Sequence, residues 1–233
     1  MTTLSWFDLA WCLVPVLLVL LISIKWRQES NEVLLAVTRM VLQLIIVGYA
    51  LILVFANPSP WISTLIVSLM LCFAAWIAIR PVNSDLNLLQ PALLALGGSV
   101  SLHLCITIFL ILRPQSWYQP ELLIPLAGMY LANTMNTLSL AAERYCAERA
   151  RDVSIFKAKN VAFQTAMIPQ INSLLAVGVV ALPGVMTGQI LSGVSPLIAV
   201  RYQIMVMSMI FGTAGVGSFI MLSLLARQED AKY

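Results

Sequence analysis

Residues 61–79 read WISTLIVSLMLCFAAWIAI, nineteen positions without a charge, opened by Pro60 and closed by Arg80 and Pro81. Crossing the hydrocarbon core of a bilayer takes about 20 predominantly apolar residues as helix. A single run of this kind fits the core of a large soluble protein, but further runs flank it at 6–25 and 35–56 on one side and at 91–112, 122–142, 163–182 and 198–226 on the other. They lack the alternation and turn spacing of a membrane barrel. The pattern predicts an all-α integral membrane protein of about seven transmembrane helices, folded as a single transmembrane domain over residues 1–233.

Composition agrees, with 61% of residues hydrophobic and 10% charged, against roughly a quarter charged in soluble domains. Seven spans leave no room for a separate soluble domain. The run from Trp6 to Ile24 has no basic residue before it, and Lys25, Trp26 and Arg27 stand where a signal peptide would carry a small-residue cleavage site; it reads as a retained first helix. The four cysteines are far apart and form no metal or redox motif; three lie in apolar runs and read as packing residues. The net charge of +3 comes without any nucleic-acid-binding pattern, so the basic residues are topology signals first.

With the N-terminus outside, ten of the thirteen basic residues fall on the cytoplasmic side: Lys25, Arg27, Arg80, Arg144, Arg149, Arg151, Lys157, Lys159, Arg227 and Lys232. The positive-inside rule therefore predicts N-terminus out and C-terminus in. The longest cytoplasmic element is 143–162, where Ala142, Tyr145, Cys146, Val153 and Phe156 recur at helical spacing while Glu143, Arg144, Glu148, Arg151 and Asp152 take other faces. It reads as a helical extension of the fifth span, serving either to fix topology or to dock a partner. Residues 183–196, PGVMTGQILSGVSP, are too short to cross; they predict a short re-entrant or outer-face helix before the last span.

Polar groups inside the spans are few. Arg39 and Gln43 lie four apart on one face of the second span; an arginine at that depth snorkels to the interface or faces a polar interior. Asn133 and Asn136, with Gln170 and Asn172 of the next span, either tie helices together or solvate something that passes. Met186 belongs to a set of methionines near these positions, where thioethers fill gaps or offer soft ligands. His103, the single histidine, reads as a hydrogen-bonded helix residue. The sequence contains no metalloprotease motif, nucleophile elbow or intramembrane carboxylate cluster, and no G-x-x-x-x-G-K-[ST] phosphate loop. An enzyme is not indicated, and any ATP-driven step requires another chain. An ATP-independent channel or carrier is the alternative.

The stretches RMVLQLIIVGYAL at 39–51, CFAAWIA at 72–78, IPLAGMYLANTM at 124–135 and VALPGVMTGQILSGVSPLIAVRYQIMV at 180–206 resemble the FetB-type permease family. These are membrane subunits of ABC transporters linked to bacterial iron export, with plant relatives linked to aluminium tolerance. The resemblance implies a homodimeric permease of the bacterial cytoplasmic (inner) membrane that exports iron, another metal or a metal chelate. It implies a cytoplasmic P-loop ATPase partner holding ATP and Mg, with no cofactor in this chain. Segment 143–162 is then the coupling element, through Arg144, Glu148, Arg151, Asp152 and Lys157, and Arg39, Gln43, Asn133, Asn136, Asn172 and Met186 are the candidate translocation path. The family's cytoplasmic loop is longer, by about 20 residues on the resemblance, and an A-L-G-A-like stretch before MIP at 167–169 is missing here.

Overall fold

The computed structural model describes residues 5–26, 30–82 and 86–230, which are helical apart from turns and one isolated bridge between Val177 and Ala181. The chain forms two compact units, Met1–Asn57 and Pro58–Tyr233. Arg27 and Lys232, counted in the charge bias, lie outside the described residues.

The first unit holds α1 (Trp6–Ala10), α2 (Leu13–Lys25) and α3 (Ser30–Ala56). A capping box starts α1: Ser5 Oγ accepts from the Asp8 N–H, and the Asp8 carboxylate accepts from the Ser5 N–H at 2.9 Å. Each thus satisfies a donor that the first helical turn leaves open. α2 packs against α3.

The second unit is a bundle of α4 (Pro60–Ile79), α5 (Leu89–Cys105) with its π-helical continuation Ile106–Leu112, α6 (Pro120–Arg149), α7 (Ile155–Ala176), the short α8 (Gly184–Leu191) and α9 (Pro196–Asp230). α6 is central, touching α4, α5, α7 and α9, while α9 also packs on α5, α7 and α8. The interior mixes small and large residues: on α7, Ala158, Ala162, Ala166 and Gln170 form one buried ridge at four-residue spacing, while Leu96 of α5 and Leu126, Tyr130, Leu138 and Tyr145 of α6 are fully buried. Other large apolar side chains point outward, among them Trp61 (85% exposed), Leu175 (74%) and Phe219 (67%). Small residues at helix contacts allow close approach, and a large apolar exterior suits a surrounding solvent that is itself apolar.

Among the described residues, five stretches are long and apolar enough to cross a membrane: Asp8–Lys25, Asn31–Ala56, Pro60–Ile79, Leu89–Leu112 and Pro196–Asp230. At about 1.5 Å per residue, α6 and α7 reach about 45 and 33 Å, but Asn133, Thr134, Asn136 and Thr137 dilute the apolar character of α6, and Lys157, Lys159, Asn160 and Gln164 that of α7.

Three local outcomes differ from the sequence reading. Segment 143–162 is a helix–turn–helix: α6 ends at Arg149 and α7 begins at Ile155. The turn is a Schellman arrangement in which the Val153 N–H bonds Glu148 O and the Asp152 N–H bonds Arg149 O, with Asp152 in the left-handed region at φ 58°. Aspartate tolerates that conformation, so no glycine marks the stop. At its far end α7 stops at Ala176, six residues before the anticipated 182, because Gly178 at φ 81° turns the chain and its N–H bonds Ala181 O. Finally, Cys12, in the turn before α2, and Cys72 and Cys105, on helix surfaces, are exposed and do not pack the core. The short helix anticipated within 183–196 is present as α8.

Candidate coupling turn and translocation path

At the end of α6, Arg149 joins three elements. Its Nε donates to Glu229 Oε2 of α9 at 2.5 Å and its Nη1 donates to Val153 O of the turn at 2.5 Å. The Tyr145 hydroxyl donates to the same carboxylate oxygen at 3.1 Å. Burial first, and then the neighbouring carboxylate, push the Tyr145 hydroxyl well above its ordinary range. One turn back, Arg144 pairs with the buried Glu148 at 2.6 Å, an i,i+4 pair within α6. Of the residues anticipated for coupling, Arg144 and Glu148 thus brace α6 itself, whereas Arg151, Asp152 and Lys157 are exposed around the turn.

Inside the bundle, α5 presents Ser99, His103 and Thr107 four residues apart on one face, all buried. Ser99 Oγ donates to Ala95 O, Thr107 Oγ1 donates to His103 O at 2.8 Å, and His103 Nδ1 lies 2.8 Å from Ser99 O. Such back-bonding satisfies polar side chains where no water reaches them. Thr107, within the π-helical stretch, also meets the Tyr130 hydroxyl of α6 at 2.9 Å. Further along α6, Thr137 Oγ1 donates to Asn133 O and accepts from the buried Gln170 Nε2 of α7 at 2.9 Å. α9 comes close to this seam through glycine: a Cβ on Gly217 would lie 2.8 Å from Thr134 Cγ2 and 3.1 Å from Ser99 Oγ, and one on Gly212 would collide with the His103 imidazole. Thr134 Oγ1 and Ser218 Oγ are buried here without a hydrogen-bond partner among the described residues.

A cavity of about 310 Å³ opens between the end of α7, the 177–183 connection, α8 and the start of α9. Its walls are apolar except for Gln203 and Ser208, and Met186 and Met207 contribute thioethers. Gln203 is 6% exposed and its Oε1 has no hydrogen-bond partner among the described residues.

The anticipated path residues occupy different settings. Asn133 is half-buried and its Nδ2 donates to Met129 O of its own helix at 2.9 Å, while Asn136 and Asn172 are exposed on the bundle surface. Met186 lines the cavity. Arg39, half-exposed, and Gln43, exposed, belong to α3 of the first unit. The sequence reading missed Thr107, Tyr130, Thr137, Gln203 and the Arg149–Glu229 link. The four-residue spacing of Ser99, His103 and Thr107 was the available signal for the seam, and Gln203 stands inside the quoted RYQIMV stretch. Nothing local pairs Arg149 with a residue 80 positions away.

Similarity to known proteins covers nearly the whole chain. The profile of UPF0014, described as an uncharacterised protein family, matches residues 6–157 and 149–229. A UPF0014 membrane protein of Synechocystis is 35% identical over 97% of this chain and 93% of its own length. The probable iron export permease protein FetB of Escherichia coli is 31% identical over 95% of this chain and 90% of its own. Protein ALUMINUM SENSITIVE 3 of Arabidopsis thaliana is 29% identical over 88% and 80%. No solved structure matches the chain significantly. Matched from its first helix to its last and built of helices apolar enough to cross a bilayer, the chain belongs to the UPF0014 family of membrane proteins.

Proposed function

We propose that this chain is the permease subunit of an ABC transporter that exports iron, another metal or a metal chelate. The observation that carries the reading is end-to-end similarity to a probable iron export permease, over 95% of this chain. In this reading α6 and α7 join the five apolar stretches as spans, giving seven, with the N-terminus outside and the 150–154 turn and C-terminus in the cytoplasm of a bacterial inner membrane. Two copies form the path, with Arg39, Gln43, Asn133, Asn136, Asn172 and Met186 along it, and a separate P-loop ATPase binds ATP and Mg. The exposed Arg151, Asp152 and Lys157 at the turn are the coupling surface, and the link from Arg149 to Glu229 carries its movement into α9. Amides and thioethers suit a chelate or a weakly held ion better than bare ferric iron, which prefers hard oxygen ligands.

The test is co-expression with the candidate ATPase. The permease is expected to copurify with it and to stimulate its ATP hydrolysis, and alanine at Arg151, Asp152 and Lys157 is expected to abolish both. Failure to bind any P-loop ATPase overturns the reading. The alternative, an ATP-independent channel or carrier, is favoured by one observation: the family match splits into two segments that meet at residues 149–157, the turn where the resemblance anticipates a longer loop. Metal efflux from vesicles without ATP would establish it.

A further inference from the structure

A second cavity, of about 290 Å³, lies between the start of α7 and the last third of α9. On α7, Phe156, Lys159, Asn160 and Phe163 fall at i, i+3, i+4 and i+7, one helical face; on α9, Phe219, Leu222 and Ser223 do the same. The start of α7 meets the end of α9 here, while the end of α7 meets the start of α9 at the other cavity, so the two helices run antiparallel. Along the groove, Phe163 and Phe219 wall the end away from the turn, Lys159, Asn160 and Ser223 stand closer to it, and Phe156 is nearest the turn. All three polar side chains are able to donate a hydrogen bond, no carboxylate lines the groove, and Lys159 forms no ion pair among the described residues. Phe156 and Phe219 are 73% and 67% exposed, so the aromatic walls are open at the bundle surface.

We propose that this groove holds an anionic phospholipid, its phosphate against Lys159, Asn160 and Ser223 and an acyl chain along Phe163 and Phe219. An aromatic floor beneath a cluster of donors at the polar end of a membrane helix matches a lipid in both its parts, and basic pockets between helices at the cytoplasmic face bind such headgroups. An apolar peptide or an apolar face of a second copy would satisfy the aromatic walls but would leave the Lys159 ammonium without a counter-charge. Assignment to the cytoplasmic leaflet rests on the orientation proposed above; binding itself does not, so failure of the orientation leaves the lipid contact standing.

Native mass spectrometry of the full-length protein, titrated with phosphatidylglycerol or phosphatidylcholine, tests the site. Phosphatidylglycerol is expected to be retained preferentially. Lys159→Gln should weaken that retention about fivefold, from about 1 kcal/mol per basic residue near the membrane surface, and Lys159→Arg should keep it. Lys157→Gln, which leaves the groove intact, should leave the retention of either lipid unchanged, and Phe219→Ala should weaken both lipids. Equal retention by wild type and Lys159→Gln overturns the proposal, as does an equal loss from Lys157→Gln, which would mean diffuse attraction. Displacement of the lipid by inorganic phosphate would assign the groove to a free anion. Disulfide formation between two copies of Asn160→Cys would make it a subunit contact.

Discussion

Gly217→Ala tests whether α9 is held against α5 and α6 by close backbone approach. The added Cβ would stand 2.8 Å from Thr134 Cγ2 and 3.1 Å from Ser99 Oγ, where carbon atoms prefer about 3.5–4.0 Å. Thr134 is buried at the helix interface, so relief requires α9 to shift or the threonine to leave its rotamer. Overpacking of this kind costs about 1–3 kcal/mol, against about 0.5–1 kcal/mol gained by replacing a helical glycine with alanine. The net loss is about 1–2 kcal/mol, a fall in Tm of about 2–8 °C for a chain of this length. Gly48 of α3, with nothing within 4 Å of its virtual Cβ, is the control and should be neutral or stabilising as alanine. Melting curves of the detergent-solubilised protein, read by size-exclusion after heating, make the measurement. Thr134→Ser removes the methyl that the new Cβ strikes, so the double variant should recover more than half of the loss. A Gly217→Ala protein that melts at or above wild type refutes the close-approach argument.

The other predictions concern the cavity and the clamp. Gln203→Leu removes a buried amide whose oxygen has no partner, so it should raise stability by about 1–3 kcal/mol while lowering vesicle transport; a lower Tm would show the amide already satisfied. Glu229→Gln leaves Arg149 without its carboxylate and should destabilise by about 1–3 kcal/mol, between the values for exposed and buried pairs, read in the same melts. Because burial and Glu229 raise the Tyr145 hydroxyl, the folded chain keeps that proton longer than the unfolded one. Stability is then complete below about pH 10 and is lost as pH rises further. Tyr145→Phe should flatten that alkaline decline, and an unchanged profile would contradict the assignment.

The helices were legible because each apolar run is written out contiguously, as 61–79 shows, and because prolines and charges bound them. The turn at 150–154 was not, since its left-handed position is filled by Asp152, a residue equally at home on a solvated helix. Exposure of Cys72 and Cys105 was hidden for a related reason: in a membrane protein an apolar run does not say which face is core. The polar seam was half legible, through the spacing of Ser99, His103 and Thr107, whereas the roles of Tyr130 and Thr137 depend on how α6 is set against α5 and against α7. Gln203 looked ordinary because whether an amide has a partner is a property of the packed bundle.

The Arg149 clamp carries a consequence for biogenesis. Its carboxylate arrives 80 residues after its guanidinium, which at roughly 5–20 residues per second of synthesis is a delay of roughly 4–16 s. On the orientation proposed above, the α6–α7 turn faces the cytoplasm throughout that interval but lacks its latch. If a motor subunit couples there and recognises only the latched turn, it would be kept from engaging a chain whose last helix has yet to be inserted.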